Sequence, residues 1–132
     1  MNKLEALARF LECEVNEVEC MRYDDNAFEN GREEYLVLTD NEADEYATKA
    51  ILDSVWAFRA SFLEAHISDL DESCIQKIQE LCEDANPVLL KLLNDKAHFV
   101  DDAVLSDGRG HFIGQYDFEE HEQGEYFIYR LN

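Results

Sequence analysis

Asn30-Gly31-Arg32-Glu33-Glu34-Tyr35-Leu36-Val37-Leu38-Thr39-Asp40-Asn41-Glu42 contains a turn, a strand and a helix start in one short run. Asn-Gly ahead of an apolar, β-prone run is a hairpin cue, so the segment Met21 to Phe28 and the run Tyr35 to Leu38 are expected to pair as short strands. Thr39 with Glu42 three residues on is a capping box, a side-chain acceptor answered by a returning carboxylate, and it starts a helix at about Asp40. Along that helix Ala43, Ala47, Ala50, Ile51, Ser54, Val55, Phe58 and Phe62 fall in one stripe, and Leu52, Trp56 and Leu63 in a second. A helix with two apolar stripes is covered on two sides. The spacing therefore predicts one long central helix over about residues 40–66.

Reading outward, Leu4, Leu7, Ala8 and Leu11 sit at helical spacing between Asn2 and about Glu12. Ser68 or Asp69 is expected to cap a further helix to Glu83, with Cys74, Ile75, Ile78, Leu81 and Cys82 facing inward. Pro87 suits the first turn of a short helix to Leu93, and Lys96 to Leu105 reads as another. The chain is then expected to break at Ser106-Asp107-Gly108-Arg109-Gly110. It should end in two strands, His111 to Tyr116 and Glu125 to Leu131, around an acidic turn from Asp117 to Gly124. Both faces of the last strand carry apolar or aromatic residues, so it belongs to sheet and core. The fold class is α+β, several helices packed on a small antiparallel sheet. With 132 residues, 46% of them hydrophobic, a single domain over 1–132 is expected.

Charge is the strongest compositional signal: 31 acidic against 11 basic residues leave a formal net of −20. A basic footprint for phosphates is missing, which argues against direct nucleic-acid binding and against an anionic membrane surface. The acids run from Glu5 to Glu125 instead of forming a tail. A compact domain of this length has a radius of gyration of about 14 Å, so the charge is crowded and self-repelling. No apolar run is long enough to span a bilayer, and the first residues carry glutamates where a signal peptide would be apolar; the expected location is the cytosol.

Cys13, Cys20, Cys74 and Cys82 fall in or at the ends of helical stretches among apolar residues, so free core thiols are the plainer reading. No pair has C-x2-C spacing, and a mixed Cys/His zinc site is the alternative. Asp107-Gly108-Arg109-Gly110-His111 gathers an acid, a cation and an imidazole, and its glycines would let backbone approach a ligand. It lacks the spacing of a phosphate-binding loop, and a turn needing positive φ explains both glycines equally. An EF-hand register from Asp101 would put Ala103 and Leu105 at ligand positions, so that motif fails. His66, His98, His111 and His121 show no zinc-protease spacing and no clear acid partner, and no serine lies in a nucleophile elbow. No cofactor, no metal site and no catalytic residue is expected.

Two stretches, Glu34 to Glu45 continuing through Ile51-Leu-Asp-Ser-Val-Trp-Ala-Phe58, and Asp107 to His111 with Tyr116-Asp117 and Tyr126-Phe-Ile-Tyr-Arg-Leu-Asn132, resemble a family of small acidic bacteriophage and prophage proteins. In that family a glycine follows the Tyr-Asp pair, where this chain has Phe118. The resemblance implies a phage-type origin and, by analogy, an inhibitor that imitates DNA toward a restriction or CRISPR enzyme. The expected partner is thus a basic, nucleic-acid-handling host protein. The expected binding residues are Glu42, Asp44, Glu45 and Asp53 on the central helix, with Asp117, Glu119, Glu120 and Glu122 in the last turn. Two other readings stand beside it. One is a small-ligand or metal-dependent protein centred on Asp107, Arg109 and His111, the other a phage assembly or replication partner.

Overall fold

A computed structural model describes residues 1–132. The protein is α+β, and the chain divides into two units, residues 1–47 with 107–132 and residues 48–106.

The first unit opens with α1 (Lys3–Leu11). Asn2 caps it, its Oδ1 accepting the Glu5 N–H at 2.8 Å while the Glu5 carboxylate accepts the Asn2 N–H at 3.3 Å. Two orphan amides are satisfied reciprocally, which fixes where the helix starts. Then come β1 (Glu19–Cys20), β2 (Ala27–Asn30) and β3 (Glu33–Leu38). The hairpin forms, but its first strand is Ala27–Asn30, not the expected Met21 to Phe28, and Asn30 pairs with Glu33, so its loop is Gly31-Arg32, with Gly31 at φ 63°. A positive φ at the first loop position is one that glycine occupies without strain.

With β4 (His121–Gln123) and β5 (Tyr126–Arg130) these strands make one antiparallel sheet in the order β1-β2-β3-β5-β4. Alternation divides its side chains. Phe28, Tyr35, Val37 and Ile128 pack with Ala6, Leu7 and Ala8 of α1. Leu36, Leu38 and Tyr129 point the other way and are buried as well. Both outer strands are two or three residues long and bear acids, which leaves little edge for another chain to pair with.

The capping box ahead of α2 (Asp40–Asp53) forms as expected: Thr39 Oγ1 accepts the Glu42 N–H at 3.3 Å, and Glu42 Oε1 accepts the Thr39 N–H at 2.9 Å. The segment 107–132 departs from expectation. Ser106 to Gly110 is not an open loop. Helix α6 (Lys96–Asp107) runs to Asp107, Gly108 turns the chain at φ 85°, and α7 (Arg109–Ile113) follows at once. His111 to Tyr116 is therefore helix and turn, and the strand paired with β5 is His121–Gln123. The reason is contact with the neighbouring backbone. A Cβ on Gly110 would stand 2.7 Å from the Glu119 carbonyl carbon, and one on Gly114 would stand 2.9 Å from the Glu119 oxygen. Two bare glycines let this helix lie directly on the segment 118–120. Phe118 has φ 60°, a left-handed conformation uncommon for a bulky residue.

In the second unit the expected long helix breaks. After α2 ends at Asp53, the chain makes a 3-10 turn, Val55–Ala57, and re-enters helix only at α3 (Ala60–Glu64). Five polar contacts satisfy the interrupted backbone. Ser54 Oγ donates to the Ala50 carbonyl at 2.6 Å, and the Asn86 amide donates to the Leu52 carbonyl at 2.8 Å and accepts the Trp56 N–H at 3.1 Å. Gln79 donates to the carbonyls of Trp56 and Phe58 at 3.0 and 2.6 Å. Asn86→Ala is expected to cost about 1–2 kcal/mol in urea unfolding, because it strands a donor and an acceptor together. A cost within error would mean water replaces the amide.

Asp71, not Ser68 or Asp69, caps α4 (Glu72–Gln79), accepting the Cys74 N–H at 2.8 Å. Only Ile75 of that helix is buried. Leu81, Cys74 and Cys82 are exposed. Pro87 occupies the first turn of α5 (Asn86–Leu92), as its fixed φ favours. All four cysteines are free; Cys20, Cys74 and Cys82 are exposed, and only the half-buried Cys13 packs against the core, so three of the four are not core thiols. No helix is long and apolar enough to cross a membrane.

Candidate functional site

Arg109, expected to face a ligand, is occupied within the first unit. Gly108 turns α7 so that the guanidinium meets carboxylates from two segments. Its Nη1 lies 2.8 Å from Asp40 Oδ1 and 3.0 Å from Asp44 Oδ1, and its Nε lies 2.9 Å from Glu120 Oε1. The Nη1 also donates to the Asp40 carbonyl at 3.1 Å, and the group sits 4.7 Å over the Phe127 ring. Burial disfavours the charged guanidinium, but the hydrogen bonds to Glu120 and Asp40 outweigh it and raise the Arg109 pKa. Glu120 also accepts the Tyr129 hydroxyl, and burial with that bond holds the phenol well above its usual range. Asp107 and His111 do not join this cluster. Asp107 is exposed at the end of α6, and the His111 ring rests against Phe112 and Phe118.

The eight acids expected to contact a partner therefore divide. Asp44 and Glu120 neutralise Arg109. Glu42 pairs with Lys3 at 2.7 Å; burial pushes its pKa up, yet the Lys3 and Thr39 hydrogen bonds prevail and lower it. Asp53 pairs with Lys49 one helical turn away. Asp117 lies 3.5 Å from the His121 imidazole. Glu45, Glu119 and Glu122 are exposed and in no ion pair, which leaves them available to a partner.

A more concentrated acidic feature lies on the sheet. Strand register sets Glu19 opposite Glu29 and Glu29 opposite Glu34, so three carboxylates stand side by side across β1, β2 and β3. Directly opposed side chains have Cβ atoms about 4.5–5.5 Å apart, and like charges there repel. None of the three is in an ion pair, and the Tyr23 hydroxyl donates to Glu34 at 3.2 Å. In sequence these glutamates are separated by a loop and a turn, so only the register reveals the row. Across the whole chain, ion pairs engage eight of the 31 carboxylates. Most of the −20 charge is therefore uncompensated at the surface.

In the second unit His66, His98 and Asp102 bring three metal-ligating side chains together. The expectation that the histidines lack an acid partner is corrected here: His66 and His98 share Asp102, and His98 with Asp102 is an i, i+4 pair one helical turn apart on one face of α6. His66, far away in sequence, gave no signal.

The fold and surface define a small α+β protein with an uncompensated acidic face. No family model, curated protein or solved structure matches the chain.

Proposed function

We propose that this protein is a non-enzymatic acidic ligand, which binds the basic groove of a nucleic-acid-handling protein and blocks it. The carrying observation is the Glu19, Glu29, Glu34 row, held opposite one another by strand pairing with no cation between them. A fold that tolerates this repulsion keeps an array of anions on a rigid support. Adjacent strands lie about 4.8 Å apart, while each DNA strand carries one charge per about 3.4 Å of axis. The two spacings are close enough for a groove lined with Lys and Arg to pair with either. Glu45, Glu119 and Glu122 extend the negative surface. The resemblance to phage proteins favours a host restriction or CRISPR-type enzyme as the target and the host cytoplasm as the place of action.

The test couples stability to binding. Glu29 stands between two like charges, so Glu29→Gln is expected to stabilise the fold by a few tenths to about 1 kcal/mol. The triple exchange of Glu19, Glu29 and Glu34 for glutamine should nevertheless abolish capture of a partner from bacterial lysate. Wild-type capture should fall steeply with salt and be reversed by added duplex DNA. Salt-insensitive capture, or full capture by the triple variant while neutralising Glu80, Glu83 and Asp84, three exposed acids of the second unit, abolishes it, would overturn the assignment to this face.

A further inference from the structure

The second unit holds an arrangement that the acidic-ligand reading does not use. His66 follows α3 and its backbone is fixed on both sides. Its N–H donates to the Leu63 carbonyl at 2.9 Å, its own carbonyl accepts the Asn94 N–H at 2.9 Å, and Ile67 forms a bridge with Leu93. The ring is buried, with centroids 5.4 Å from Phe62, 5.2 Å from Phe99 and 5.1 Å from His98. Phe58 closes on the same aromatic group, 5.0 Å from Phe99. Out of this apolar wall His66 Nε2 reaches Asp102 Oδ2 at 2.9 Å, and His98 Nε2 approaches the same oxygen at 3.7 Å. All three ligand atoms lie within 4.8 Å of one another.

We propose that His66, His98 and Asp102 form a binding site for a divalent transition metal of the zinc class. Tetrahedral zinc with bonds of about 2.0–2.2 Å places its ligand atoms about 3.3–3.5 Å apart. The two spacings to Asp102 Oδ2 straddle that range, so small side-chain rotations suffice to close on an ion. Two imidazole nitrogens and one carboxylate oxygen select zinc, cobalt, nickel or iron(II) over magnesium and calcium, which prefer all-oxygen shells. Access is one-sided: the His66 side chain is 6% exposed, while those of His98 and Asp102 are 61% and 40% exposed. An ion enters from solvent, with the fourth position left to water, and the phenylalanines at the back fix the His66 ring. The strongly negative chain also concentrates cations at its surface.

The experiment uses the full reduced chain in excess magnesium, which saturates loose carboxylate sites. Zinc is titrated by calorimetry and cobalt by visible absorption. One equivalent should bind, giving a tetrahedral cobalt spectrum without the thiolate charge-transfer band that the exposed cysteines would produce. His98→Ala and Asp102→Asn should each weaken zinc at least about tenfold; both positions are partly exposed, so the fold tolerates them. His111→Ala should leave affinity unchanged. The absence of a saturable equivalent, a cobalt spectrum dominated by thiolate, or unchanged affinity in both variants would overturn the site and leave a hydrogen-bonded His66–Asp102 pair.

Discussion

Gly110→Ala is expected to destabilise the protein by about 3 kcal/mol, at the upper end of what overpacking costs. The new methyl would meet the Glu119 carbonyl carbon at 2.7 Å, the Glu120 nitrogen at 2.8 Å and the Phe118 oxygen at 2.9 Å. All three are backbone atoms, so no side-chain rotation relieves the overlap, and α7 or the segment 118–120 must move. Because that segment carries Glu120, the ion pair to Arg109 loosens with it. Gly108→Ala makes a useful contrast: its Cβ would have open space, but φ 85° with ψ 155° is a region essentially confined to glycine and costs an L-residue roughly 1–3 kcal/mol. Thermal and urea unfolding measure both losses. A loss below about 1 kcal/mol in Gly110→Ala would mean that α7 does not lie against 118–120.

Arg109→Ala is expected to cost about 2–3 kcal/mol. The guanidinium side chain is 12% exposed, and its removal leaves Asp40, Asp44 and Glu120 without their shared cation. The figure stays below that for breaking a fully buried pair, because Asp40 and Asp44 are 69% and 63% exposed and their repulsion is screened by solvent. The Glu120 contact, 30% exposed and shared with Tyr129, carries most of the loss. Arg109→Lys should recover only part of it, since an ammonium cannot reproduce the fork that meets carboxylates from two segments. Urea unfolding measures both. A ligand-binding Arg109 predicts the opposite, lost function at unchanged stability, so this variant also separates the acidic-ligand reading from one centred on Asp107, Arg109 and His111.

Local chemistry made several elements legible. Thr39 and Glu42 cap α2 as their spacing dictates, Pro87 begins α5, and the uninterrupted apolar run from Tyr35 to Leu38 matches a strand buried on both faces. Each depends on groups within about one turn or one pleat, which is what a sequence displays directly. The misread stretches depended on distant partners. Ser54 to Phe58 fits a helical stripe, yet amides from Asn86 and Gln79 satisfy the backbone there and make the break cheap. Gly110 resembles a turn residue until the backbone at Glu119 is placed beside it.

The same division holds for function. Composition by itself determined that this is an acidic α+β chain with too little cation to neutralise its carboxylates, because charge and periodicity are properties of the residues alone. Which acids remain free was decided by the tertiary structure. Arg109 gathers Asp40, Asp44 and Glu120 from two segments, strand register sets Glu19, Glu29 and Glu34 opposite one another, and the return of the chain brings His66 to His98 and Asp102. Electrostatic pairing and metal ligation act over a few ångströms of space, and separation along the chain does not report that distance.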